Sequence, residues 1–197
     1  MKYTELSLFF GEYAQIAIGE NENAKWGLIN RSGEEVVPTI YDSIFYMGGK
    51  YAVVNIGRKT DLENMEFDDG LNGVITTSNE LIIALQYSEL YFVDDSYSLL
   101  IAQDVETEKF GVIDLENNII IPFVYNMIEP TINNLFAVET LGGRWGIIDI
   151  NQNKIIEPQY DHIHSEWMHS KNKEPWFVAE KGSEKFYIDL DNNRVLF

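Results

Sequence analysis

The chain has 197 residues, 45% of them hydrophobic and 13% aromatic, which is enough to bury a core as one domain spanning 1–197. It has no cysteine, so disulfides, thiolate metal sites and cysteine nucleophiles are excluded. Its 14 basic residues against 32 acidic ones give a net charge of −18, which repels a phosphate backbone, and Arg58-Lys59 is the only adjacent basic pair. No nucleic-acid partner is therefore expected.

In chain order, a tetrapeptide recurs. Trp26-Gly27-Leu28-Ile29 is echoed by Asn72-Gly73-Val74-Ile75, Phe110-Gly111-Val112-Ile113 and Trp145-Gly146-Ile147-Ile148, and more loosely by Phe186-Tyr187-Ile188-Asp189. In the first four copies a tyrosine follows the glycine after 14 positions, at Tyr41, Tyr87, Tyr125 and Tyr160. Between the two lies a polar turn (Arg31-Ser32-Gly33 in the first copy, Asn151-Gln152-Asn153 in the fourth) and then an apolar run, the pattern of a β-hairpin. Pro38, Pro122 and Pro158 close the second strand in three copies and Ala84 stands there in the second. Proline cannot donate to a ladder, so pairing is expected to stop or bulge there. A further apolar stretch, such as Phe136-Ala137-Val138, precedes the next glycine. Each repeat thus has three firm strands, with the Tyr-x-x-(Ile/Leu) segment a candidate fourth.

The last copy stops at Val195-Leu196-Phe197, short of its tyrosine, whereas the chain opens with Tyr3-Thr4-Glu5-Leu6. Joining Phe197 to Met1 would place Tyr3 13 positions after Tyr187. The spacings between successive copies average 40 residues, near the length of a four-stranded propeller blade. The expected fold is all-β: five repeats in a closed five-bladed propeller-like ring, with strands from the N- and C-termini completing one blade. An open β-repeat solenoid is the alternative.

Lys25 through Ile44, containing Trp26-Gly27, Pro38 and Tyr41, resembles a WG repeat, and Arg144 through Ile163 resembles another. The third copy keeps Pro122 and Tyr125 with Phe110 for the tryptophan, the second keeps little beyond Gly73 and Tyr87, and the fifth lacks the glycine. The family is typically bacterial. The resemblance implies a repeat scaffold and no reaction, and it brings no catalytic residues.

The glycine after the aromatic has a backbone role, either adopting positive φ or admitting a neighbouring strand, with Trp26, Phe110 and Trp145 in the core. The Asp189-Leu190-Asp191-Asn192-Asn193 turn reads as a hairpin rather than a calcium loop, because the other copies offer too few oxygens. His162 and His164 share a strand face near Asp161 and Glu166, but the spacing offers no convincing fourth ligand, so no metal and no cofactor is expected. The residue after the tyrosine is Asp42, Ser88, Asn126, Asp161 or Thr4, so no acid recurs and no catalytic residue is assigned.

Two departures from the repeat are candidate recognition loops. The first is acidic and aromatic, with Asp61, Glu63, Glu66, Phe67, Asp68 and Asp69; the second carries Glu166 and Trp167. Acidic groups steer a basic partner while aromatics anchor it. The expected function is a non-enzymatic protein-binding module, monomeric when free, for example an acidic immunity-type inhibitor of a basic bacterial toxin or effector. The alternative is a carbohydrate-binding or glycoside-hydrolysing propeller. The apolar runs fall far short of the roughly 20 residues of a membrane span, and Met1-Lys2-Tyr3-Thr4-Glu5 does not open a signal peptide, so a cytoplasmic protein without a membrane partner is expected.

Overall fold

The computed structural model describes residues 2–20, 23–61, 66–94, 96–165 and 176–195. They form an all-β chain of antiparallel sheets with almost no helix. No helix among them is long and apolar enough to cross a membrane. The chain divides into two compact units, residues 1–105 with 114–117, and residues 106–113 with 118–197.

In the first unit, β1 (Glu5–Leu6), β2 (Tyr13–Ile18), β3 (Lys25–Asn30) and β4 (Glu35–Tyr41) make a four-stranded sheet in sequence order. Next come β5 (Ser43–Phe45), β6 (Tyr51–Ile56), the small β7 (Lys59–Asp61) and β8 (Glu66–Asp68) hairpin, β9 (Leu71–Thr76), β10 (Leu81–Phe92) and β11 (Leu99–Asp104). The long β10 serves two partners, pairing with β9 over Leu81–Tyr87 and with β11 over Tyr87–Phe92. In the second unit, β12 (Phe110–Asp114) pairs with β13 (Ile119–Tyr125). It continues with a four-stranded sheet of β14 (Met127–Pro130), β15 (Leu135–Glu139), β16 (Trp145–Asp149) and β17 (Lys154–Tyr160). The last sheet holds β18 (His162–Ser165), β19 (Phe177–Lys181) and β20 (Glu184–Ile188), beside which Arg194 makes an isolated bridge to Ile188.

The Tyr-x-x-(Ile/Leu) segment is the fourth strand, and it opens the following sheet rather than closing its own. Ile44 pairs with Val54, Ile128 with Val138 and Ile163 with Ala179, and all three isoleucines are buried. Leu6 occupies the same register opposite Ile16 but is 63% exposed. Within the described residues β1 pairs with β2, and no N-terminal strand adds to the β18–β20 sheet.

The glycines act by close approach. None of Gly27, Gly73, Gly111 and Gly146 has positive φ. A Cβ on each would lie 2.3, 2.6, 2.7 and 2.5 Å from the carbonyl oxygens of Val37, Ile83, Ile121 and Ile156. The neighbouring strand bulges there: Trp26 faces Tyr41 and Leu28 faces Val37, and register shifts recur opposite the other three glycines. Ala84 lies within one of these bulges, so the constant requirement is the glycine and not the proline.

The fifth copy is offset by one residue from the alignment made by sequence. Val138 faces Gly146 as Ala179 faces Phe186, so Phe186, not Tyr187, holds the glycine position. The turns agree: the residue six positions on is left-handed in every copy, at Gly33, Asn79, Asn117, Gln152 and Asn192. A large side chain is tolerated because, on the side of β20 away from β19, the described residues place the Arg194 bridge and the Val195 amide bond to Tyr187 but no bulged strand. Counted from Phe186, the interval across the joined ends to Tyr3 becomes 14, the same as in the intact copies.

The cores follow from the alternation. Leu28, Val37, Tyr41, Ile44, Ala52 and Ile75 cluster in the first unit, and Trp145, Ile147, Tyr160, Ile163, Phe177 and Ile188 in the second. Phe110 and Trp145 are buried as expected, whereas Trp26 is only half-buried against its cluster.

Gly27→Ala should lower stability by about 3 kcal/mol, the cost of forcing a Cβ onto a fixed carbonyl. Gly182→Ala, at φ +63° with open space around it, should cost about 1 kcal/mol. Urea unfolding midpoints of the two variants check this, and equal losses would refute the close-approach role.

Candidate functional site

The first predicted loop is a structured hairpin. Lys59 pairs with Asp68, Thr60 with Phe67 and Asp61 with Glu66, so Asp61, Glu66, Phe67 and Asp68 ride on β7 and β8. Glu63, Glu166 and Trp167 lie outside the described residues. Asp69 follows β8, and its carbonyl accepts a 2.9 Å hydrogen bond from Asn55 Nδ2. At this base lies a polar cavity of about 300 Å³, lined by Asn55, Arg58, Asp69, Asn72, Ser88 and Glu89. Asn55 is 4% exposed, and its amide also donates to Asn72 Oδ1 at 3.1 Å. Its Oδ1 is buried with no donor, so this cavity wall carries an acceptor.

A second cavity, which the sequence reading missed, is aromatic. It measures about 190 Å³ and is lined by Phe45, Met47, Tyr51, Phe92, Asp94 and Tyr97. Phe92 and Tyr97 meet edge to face at 4.9 Å, and Tyr51 lies 6.5 and 6.4 Å from them. Tyr97 is left-handed at φ 56°, a costly backbone for a bulky residue, and its hydroxyl donates to the Gly48 carbonyl at 2.6 Å. Gly49, at φ +85°, makes the room: a Cβ there would lie 2.7 Å from the Tyr97 ring. Asp94 Oδ1 accepts from the Ser96 amide and hydroxyl at 2.8 and 2.5 Å, which fixes the turn. Phe45 and Met47 at the rim are 54% and 58% exposed. The adjacent glycines Gly48-Gly49 amid Tyr46, Tyr51 and Tyr97 were the signal in the sequence.

The residues after the tyrosines have structural partners. Asp42 Oδ2 accepts from the Gly57 and Arg58 amides at 2.7 and 3.2 Å, while Oδ1 meets Lys25 Nζ. Asp161 accepts from the Gly182 amide at 2.6 Å and pairs with Arg144. Asn126 takes Lys109 Nζ at 3.1 Å and donates to the Thr140 carbonyl, Ser88 donates to the Gln103 carbonyl, and Thr4 donates to the Gly19 carbonyl. Each side chain therefore clasps the hairpin of the sheet it enters. Lys25, Lys109 and Arg144 all stand one position before the repeat aromatic, so the cation is part of the repeat.

The tyrosines themselves tie successive hairpins. Tyr41 donates to Asn79 Oδ1 at 2.8 Å, Tyr87 to Asn117 at 2.7 Å and Tyr160 to Asn192 at 2.6 Å, each acceptor being the left-handed turn residue. Burial pushes all three hydroxyls above the usual tyrosine range, keeping them donors. The Asp189 turn is a hairpin: Asp189 Oδ1 accepts from the Asn193 amide at 2.8 Å, as Asp149 does from Asn153.

His162, His164 and Glu180 stand together on the last sheet, with ligand atoms within 4.8 Å of one another, and could hold a metal ion.

Comparison with known proteins adds the following. The family model of the WG containing repeat matches residues 26–59, 110–144 and 145–166. The copies at Gly73 and Phe186 fall outside these stretches, and they are the two that keep least of the motif. No curated protein matches the chain. Among solved structures, one described as the crystal structure of the eukaryotic initiation factor is similar, with a TM-score of 0.57 at 12% identity. That likeness covers 99% of this chain and 54% of the other, so the chain spans about half that length. At this identity it bears on fold alone.

Burial alone would raise the Asp42 pKa, but Lys25 and the Gly57 and Arg58 amides outweigh it and hold the carboxyl below its ordinary 3.8. A carboxyl lowered on folding contributes stability above its unfolded pKa and loses it as pH falls through the folded value. Asp42→Ala should therefore cost about 2 kcal/mol at pH 7, the range of charge-assisted hydrogen bonds, and progressively less below pH 3.8. Urea unfolding of both proteins across that range measures it.

Proposed function

We propose that this chain, which carries WG-containing repeats, is a non-enzymatic protein-binding module that recognises a basic partner. The observation that carries the reading is the aromatic cavity with Asp94 in its wall, on a chain of net charge −18. At about 190 Å³ it is smaller than the roughly 300–1,000 Å³ of small-molecule pockets, so it takes one side chain. Aromatic faces beside a carboxylate favour a lysine or arginine, through cation–π attraction and charge. The acidic sequence segment that holds Asp61, Glu63, Glu66, Asp68 and Asp69 adds steering charge, and Phe67 and Trp167 supply anchors. The concrete form of the proposal is an immunity-type inhibitor, an acidic cytoplasmic bacterial protein that covers the cationic cleft of a toxin or effector.

The same reading includes a closed ring of five blades. The support is the spacing of 14 across the joined ends from Phe186 to Tyr3, and closure would cover Leu6. Small-angle scattering tests this separately. A closed ring should give a radius of gyration of about 16 Å, the value for a compact chain of this length, and an open solenoid a clearly larger one.

Binding to a purified basic effector encoded beside the gene tests the function by calorimetry. Wild type should bind, while Tyr97→Ala and a variant with Glu63, Glu66, Asp68 and Asp69 changed to Ser should each lose at least tenfold in affinity. The acidic-loop variant should also show weaker salt dependence. Undiminished binding in both variants would place recognition elsewhere, and no binding by wild type would remove the immunity reading.

A further inference from the structure

We propose that His162, His164 and Glu180 form a binding site for a divalent transition-metal cation of the zinc type. His162 and His164 are alternate residues of β18, so both imidazoles stand on one face, while Ile163 between them is buried on the other. Across the ladder His162 pairs with Glu180 of β19, which brings the carboxylate to the same face. All three side chains are half-buried, and their ligand atoms lie within 4.8 Å of one another.

The imidazole geometry is the stronger part of the argument. Nδ1 of His162 and Nδ1 of His164 face each other at 3.2 Å. Two such nitrogens need either one proton or one cation between them. Ligands at the 2.0–2.1 Å zinc–nitrogen distance in a tetrahedron are about 3.3 Å apart, so the observed separation matches a shared ion. The His162 ring is also held in place, where Trp145 meets it edge to face at 4.7 Å. Its second nitrogen, Nε2, faces Glu129 Oε1 at 3.9 Å, beyond hydrogen-bond reach but close enough for the carboxylate charge to favour a cation on the ring.

Donor chemistry sets the class of ion. Two neutral imidazoles and a carboxylate suit zinc and its neighbours, and they do not suit magnesium or calcium, which take oxygen ligands. Glu180 also lies 3.3 Å from Lys185 Nζ, its partner across β19 and β20, so ion binding exchanges that surface pair for a coordinate bond. Three protein ligands leave a fourth position for water. Sequence spacing did not show Glu180 as a ligand because strand pairing brings it in, 16 positions beyond His164.

The test is titration of the full chain with zinc chloride by calorimetry, with cobalt chloride followed by visible absorption. One ion per chain with micromolar or tighter affinity is expected, and the cobalt form should show tetrahedral absorption bands. His164→Gln and Glu180→Gln should each weaken zinc binding at least tenfold while unfolding cooperatively in urea, and magnesium should not compete. A measurement on wild type alone stands beside these. Zinc should protect His162 and His164 from diethyl pyrocarbonate, read by mass spectrometry. Zinc binding no tighter than millimolar, affinity unchanged in both variants, or equal modification of His162 and His164 with and without zinc would overturn the proposal.

Discussion

Four of the five repeats of this protein depend on one close approach, in which the backbone of the repeat glycine lies where a side chain would strike the carbonyl of the adjacent strand. With 2.3–2.7 Å between a hypothetical Cβ and that oxygen, any other residue would push the strand away. The adjacent strand can then carry extra residues in a bulge, and the bulge sets which face the following tyrosine meets. Tyr41, Tyr87 and Tyr160 land buried, and in these three copies the hydroxyl reaches the left-handed asparagine of the next hairpin. The residue after the tyrosine turns outward and clasps a loop of the sheet it enters. Glycine, bulge, tyrosine and clasp are therefore successive consequences of one steric allowance.

This order explains what could be read from the sequence. The interval of 14 between glycine and tyrosine is the length of one turn, one strand and one bulge, all local, so it survives in the second copy even without proline and tryptophan. The fifth copy was misaligned by one residue because the constraint that identifies the glycine is absent there. On the side of β20 away from β19, the described residues contribute the Arg194 bridge and the Val195 amide bond to the Tyr187 carbonyl and no paired strand, so Phe186 is accepted and its aromatic ring imitates the residue before the glycine. Trp26 was expected in the core on the same analogy, yet it is half-buried, since residue type in a repeat fixes register more firmly than coverage.

The proposed recognition surface was legible in the sequence only where charge accumulates. Asp61 to Asp69 announces itself as an insertion, and pairing turns part of it into the β7–β8 hairpin above a polar cavity. The aromatic cavity has a weaker signature, the glycine pair Gly48-Gly49 among tyrosines. Its walls come from the β5–β6 connection, the end of β10 and the turn after it, so no single stretch carries the whole site. What marks it is backbone geometry: Tyr97 held at positive φ, and Gly49 withdrawn to admit its ring. Strain of this kind persists only where surrounding contacts fix it, here the edge-to-face packing on Phe92 and the hydroxyl bond to Gly48.

The repeat also separates the acids that recur with a role in the fold from those that its pattern does not specify. Asp42 and Asp161 are the carboxylates most like paired catalytic acids in sequence, yet each is committed to a cation of its own repeat and to backbone amides of the next loop. Asp149 and Asp189 close hairpin turns. Once these are assigned, the acidic groups of the β7–β8 hairpin and Asp94 stand in positions that the repeat does not specify. The repeat pattern therefore places no common demand on those acids, and sequence differences between proteins built on this repeat can collect there rather than in the repeated hairpins.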